Sequence, residues 1–104
     1  MLRRYKPLVI QKVVSAAATP EFLAPNDGTR LYGLLMIAEK AVGVDNAGNI
    51  TIKIDGEDAI VLEPGRQLAW PAPPYEAGYF EPEDFVLKAS VDGDGLRVIS
   101  NRLL

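Results

Sequence analysis

The chain has 104 residues, 48% apolar and 24% charged, the size and composition of one globular domain with a single core. It contains no cysteine and no histidine, which excludes disulfide scaffolds, thiol nucleophiles, zinc fingers, haem and iron–sulfur ligation, and every Ser-His or Cys-His catalytic pair. The net charge of −3 is unevenly divided: Arg3, Arg4, Lys6 and Lys12 lie in a first dozen residues without an acid, so a +4 segment precedes a −7 body.

Short β-segments punctuated by Gly and Pro are predicted along the chain. Leu8–Ala17 is the first and Arg30–Ala38 the second. Val9, Ile10, Val13, Val14 and Ala17 also fit a helical stripe, and Leu31–Val42 could be a helix, but β-branched residues in the first and Gly33 in the second favour strand. Ala41–Val44 follows, ended by the turn signal Asp45-Asn46-Ala47-Gly48. Asn49–Asp55 alternates, with Ile50, Ile52 and Ile54 on one face and Thr51 and Lys53 on the other. Asp55-Gly56 reads as a tight turn and Ala59–Leu62 as the returning strand. In Glu63-Pro64-Gly65-Arg66 the Pro and Gly stand in the order of a type II turn, leading to Gln67–Trp70. Pro71–Pro82 carries no strand pattern. Phe85–Ser90 alternates again, and Asp92-Gly93-Asp94-Gly95 reads as a hairpin loop returning to Leu96–Ser100. Short antiparallel strands at this spacing point to an all-β sandwich or barrel.

The apolar runs are far shorter than the ~20 residues of a membrane-spanning helix. The N-terminal apolar stretch is broken by Gln11 and Lys12, so no secretory signal is expected and synthesis in a cytoplasm is. Acidic groups cluster at Asp55, Glu57 and Asp58, at Glu81, Glu83 and Asp84, and at Asp92 and Asp94. They fall at predicted turns, where a carboxylate bonds its local backbone, rather than in a cleft suited to acid–base work. Ser15, Ser90 and Ser100 have no histidine to activate them. A calcium loop at Asp92-Gly93-Asp94 lacks the EF-hand spacing and its terminal Glu.

Two features point outward. The basic N-terminal segment, with Arg3, Arg4, Tyr5 and Lys6, reads as an electrostatic docking element for an acidic surface. Four cations are few for nucleic acid, and the acidic body would repel a long polyanion. The second feature is the run WPAPPYEAGYFEP, where Trp70, Tyr75, Tyr79 and Phe80 make half of the chain's aromatics. Prolines limit the entropy such a loop loses on docking, and the aromatics supply contact area, so it reads as a protein–protein contact loop. The competing reading has Trp70 and Phe80 capping the core and Tyr75 packing across the loop.

The order of these signals has a likeness. Ile50–Gly56 is followed by Leu62-Glu63-Pro64-Gly65-Arg66-Gln67-Leu68, and after a spacer by Asp84–Ser90, a Gly turn and Leu96-Arg97-Val98-Ile99. This resembles small virion proteins of tailed bacteriophages, in which an L-x-P-G-x-x-L turn joins two strands and a last hairpin ends in hydrophobic-R-V. The likeness covers residues 8–100. Arg66 stands where the usual motif has Glu, and Trp70 where a smaller aliphatic residue is common. The resemblance implies an all-β fold, a single small antiparallel β-sandwich or jelly-roll-like domain over residues 8–104 behind a basic arm, residues 1–7. It implies a non-enzymatic head decoration or cement protein that binds the major capsid protein and stabilises the capsid, as a homo-oligomer with a trimer favoured. A head-fibre or tail component that binds a receptor or carbohydrate is the alternative. No catalytic residue, metal, cofactor, nucleic-acid or membrane contact is expected. The expected partner-binding residues are Arg3, Arg4, Tyr5 and Lys6 in the arm, and Trp70, Tyr75, Tyr79 and Phe80 in the aromatic segment.

Overall fold

The computed structural model describes residues 4–24, 28–54, 56–70 and 80–103, the side chains of Trp70 and Leu103 excepted. Ten strands run through them: β1 (Tyr5–Val13), β2 (Glu21–Phe22), β3 (Leu31–Ile37), β4 (Glu39–Ala41), β5 (Val44–Asp45), β6 (Ile50–Ile54), β7 (Glu57–Leu62), β8 (Gln67–Trp70), β9 (Phe85–Ala89) and β10 (Gly95–Leu103). A 3₁₀ turn, Pro82–Asp84, precedes β9. None of the helical stripes is realised as a helix.

Two four-stranded antiparallel sheets form, ordered β1-β10-β3-β8 and β2-β9-β6-β7, and β4 and β5 make a separate ribbon. With the ribbon set aside, the first main strand pairs with the eighth, the second with the seventh, the third with the sixth and the fourth with the fifth. That is the order of a jelly roll. The expected small antiparallel all-β domain is therefore what the chain forms.

The core lies between the two sheets and follows the period-2 patterns. Ile50 and Ile52 of β6, and Phe85, Leu87 and Ala89 of β9, are buried from one side; Leu34, Met36, Leu96 and Val98 are buried from the other. On the outer face of the second sheet, Asp58 lies 3.8 Å from both Lys53 and Lys88, so polar positions pair there with each other. The predicted type II turn is present: Gly65 has φ of 75° and the Arg66 amide donates to the Glu63 carbonyl at 3.0 Å.

The expected last hairpin is not a hairpin. β9 pairs with β2 and β6 in one sheet, and β10 with β1 and β3 in the other. Residues 90–94 are an arch that crosses between the sheets. Alternation fixes which face of each strand is buried, and two strands facing one core from opposite sides share the same pattern. Besides an internal bond from the Asp94 amide to the Val91 carbonyl at 3.3 Å, the arch bonds to distant chain: the Gly93 amide donates to the Val14 carbonyl at 2.9 Å, and the Asp92 carboxylate accepts the Ala17 amide at 2.6 Å.

Other boundaries move as well. β1 starts at Tyr5 and ends at Val13, where Leu8–Ala17 was expected, because residues 15–18 turn toward the second sheet. The expected strand Ala41–Val44 is the tip of the β4–β5 ribbon, with Gly43 at φ 71° in its turn. Asp55, of the expected Asp55-Gly56 turn, lies outside the described residues.

Candidate docking surface

The first sheet has a charge pattern that no single segment of sequence displays. Its four strands contain no Asp or Glu, and β1 and β10 supply Lys6, Lys12, Arg97 and Arg102. Lys12 reaches Glu21 of β2 at 3.1 Å. Lys6, Arg97, Arg102 and the preceding Arg4 form no ion pair with another described residue. The basic segment read from the sequence is thus continued by the strand beside it.

Lys6, Lys12 and Arg102 share the side of the sheet on which Leu8 and Ile10 pack, whereas the outer face, with Arg97, is partly apolar. Val9 is opposite Ile99, Ile99 opposite Leu35, and Leu35 opposite Ala69, so one row crosses all four strands. Val9 is 52% exposed, Ala69 is exposed, and Ile99 and Leu35 are half-buried.

The expected contact residues distribute as follows. Arg3 lies outside the described residues, as do Tyr75 and Tyr79. Arg4, Tyr5 and Lys6 are exposed. Tyr5 stands edge-on to Tyr32, ring centroids 5.3 Å apart, which holds its ring on the sheet. Trp70 ends β8 opposite Leu34. Phe80 is half-buried, exchanges backbone hydrogen bonds of 2.6 and 2.8 Å with Leu31, and packs its ring 5.9 Å from Phe85. Its ring covers the core. It also borders a cavity of about 370 Å³ with Ile54, Glu83 and Val86.

Register brings the two expected regions to one end of the sheet. Lys6 is opposite Arg102, Arg102 opposite Leu31, and Leu31 bridges Phe80. At about 4.8 Å per strand, Lys6 and Phe80 are three steps apart. Comparison with family models, with curated proteins and with solved structures gives no match.

The buried polar groups lie elsewhere and are committed to the fold. Asp94 is fully buried, and its two carboxylate oxygens accept the Ala47 and Gly48 amides at 2.8 and 2.9 Å. The Asn46 carboxamide exchanges two 2.8 Å hydrogen bonds with the Gly95 backbone. The Ser100 hydroxyl donates to the Gly33 carbonyl at 2.5 Å. The expected explanation of the turn acids, local backbone bonding, fails for Asp92 and Asp94: both bond amides far away in sequence. Near Phe80 the local explanation holds, since Asp84 accepts the Glu81 amide at 2.9 Å. A hydrogen bond with Glu83, reinforced by that carboxylate's charge, raises the Glu81 carboxyl above its ordinary value.

Two features, one in the second sheet and one on this surface, carry no local sequence signal. β2 is only two residues long, too short for a period, and its Phe22 is 59% exposed. The cross-strand row depends on register, which no local pattern specifies.

Proposed function

We propose that this chain is a non-enzymatic structural subunit of a virion, a head decoration protein that docks on the major capsid protein. The observation that carries the reading is the first sheet of a compact jelly roll, whose strands hold no acid: an exposed apolar row crosses its outer face, and the exposed Lys6 and Arg102 stand opposite each other near one end, on the other side of the sheet. Such a surface suits contact with an acidic protein patch, where charge steers the encounter and apolar area supplies affinity. Viral capsid domains use this fold, though lectins and cupins use it too, so fold alone does not select the function. The commitment of Asn46, Asp94 and Ser100 to backbone bonds supports a passive role, because among the described residues each buried polar side chain serves the architecture. Many-copy assembly tolerates weak individual contacts, since symmetry makes the lattice multivalent.

Quantitative mass spectrometry of purified particles, made by the genome that encodes the chain, tests the reading. Copies in the hundreds per head are expected. A few copies per vertex or tail would favour the fibre or tail alternative, and absence from particles would overturn both. Recombinant protein carrying Arg4→Glu and Lys6→Glu should bind purified capsids more weakly than wild type.

A further inference from the structure

We propose that the outer edge of β1 is a strand-addition site for an extended acidic segment of a partner protein. This deepens the assembly reading by naming the docking surface, and rests on it only in taking the partner to be a protein. β1 ends its sheet, and no described strand pairs with its other side. At nine residues it is long for an edge.

The direction of its free backbone groups can be derived. The Val14 amide donates to the Asp94 carbonyl at 2.8 Å, one step beyond the Val13–Gly95 pair. In an antiparallel pair, alternate residues bond the partner. Lys6, Leu8, Ile10 and Lys12 therefore bond β10. Tyr5, Pro7, Val9, Gln11 and Val13 aim their backbone outward. Pro7 agrees, because it has no N–H to give to β10. It removes one outward donor and leaves those of Tyr5, Val9, Gln11 and Val13.

Proline and lysine on an edge are common devices against unwanted pairing. Here they select rather than close. In the symmetric antiparallel register centred on Val9, a second copy of β1 would set Lys6 against Lys12, and like charges directly opposite each other destabilise a pair. Lys12 already pairs with Glu21, so an acidic strand gains its charge contact at Lys6, which forms no ion pair with a described residue. On its groove side it would place an acid opposite Lys6 and apolar residues opposite Leu8 and Ile10. On its other side, an apolar residue opposite Val9 would add a fifth member to the exposed row. An open groove of about 580 Å³ runs beside this edge, lined by Ile10, Phe22 and Leu23 and by the paired Lys12 and Glu21, and leaves room for the apolar side chains, with the acid placed at Lys6.

The test is selection of random displayed segments, as long as β1, against the full chain. Enriched segments should alternate, with β-branched residues and an acid. Val9→Pro should weaken them about tenfold or more, because it removes an outward N–H and no bond to β10. Val9→Thr, which keeps the N–H, should stay within about threefold, and Lys6→Glu should also cost about tenfold. Failure to enrich any segment, segments lacking acids, or equal binding to Val9→Pro would overturn the proposal. So would a dimer of the chain itself that Val9→Pro abolishes. The two readings fail separately. Capsid incorporation that survives Val9→Pro removes the edge and keeps the assembly role, while edge-binding segments for a chain absent from particles do the reverse.

Discussion

The side chain of Asn46 acts as a strand for Gly95. Its carboxamide gives one hydrogen bond to the Gly95 carbonyl and takes one from the Gly95 amide, both 2.8 Å. β10 pairs with β3 through Arg97 and Ile37, and β3 ends there. Two residues back along β10, the Gly95 backbone groups face the same way and would be unpaired. Asn46, with one donor and one acceptor on the same planar group, completes the ladder. Asp94, next along the chain, accepts the amides after Asn46.

Asn46→Ala should therefore cost about 2–4 kcal/mol, since it strands two buried backbone groups at roughly 1–3 kcal/mol each. At about 4–8 °C per kcal/mol, thermal denaturation followed by circular dichroism should show a Tm lower by roughly 10 °C or more. A negligible change would mean that water replaces the carboxamide. Asp94→Asn should destabilise too, because its NH₂ group would face an amide donor.

Ala18 has φ of 61° while its amide donates to Ala89 at 2.9 Å. A left-handed conformation costs a residue with a Cβ about 1–2 kcal/mol. Ala18→Gly relieves this and loses part of the gain to unfolded-state entropy. The expected result is a net gain of about 0.5–1 kcal/mol, read as a higher urea midpoint with an unchanged slope. Ala18→Val should lower the midpoint.

The Lys12 hydrogen bond, then the Ser15 amide, hold the Glu21 carboxyl below its ordinary 4.5. A lowered value means the folded state prefers the charged form. That contribution is complete above 4.5 and is lost as pH falls through the folded value. Glu21→Gln should lower Tm near neutrality and converge with wild type in acid. Glu81 runs the other way: its raised value means the fold favours the protonated form, so its contribution fades as pH rises. Glu83→Gln, which removes the main cause, should flatten that part of the profile. Thermal scans between about pH 3 and pH 8 on the three proteins check both signs.

Sequence pattern disclosed the faces of strands better than their partners. Ile50, Ile52, Phe85 and Leu87 were legible as core because a period of two needs no knowledge of the neighbour. The β9–β10 arch was not, since Asp92-Gly93-Asp94-Gly95 carries turn chemistry whether the chain reverses within a sheet or crosses between two. The Asn46 and Asp94 contacts were equally hidden: each motif satisfies local turn preferences, and only the jelly-roll topology brings them together. The basic character of residues 4–6 was plain, but its continuation onto Arg97 and Arg102 required the β1–β10 register.

That register supplies a parity test of stability. Val9 and Ile10 are adjacent, apolar and β-branched, yet their amides point in opposite directions across β1. Ile10→Pro removes a bond to β10 and inserts a ring against it, which should cost about 3 kcal/mol or more. Val9→Pro removes only an outward donor at a position of the same parity as the native Pro7 and should cost about 1 kcal/mol or less. Urea denaturation of the two variants measures the difference. Equal losses would mean that the outer amides of β1 are already bonded within the folded chain, and the edge would then have no donors to offer an incoming strand.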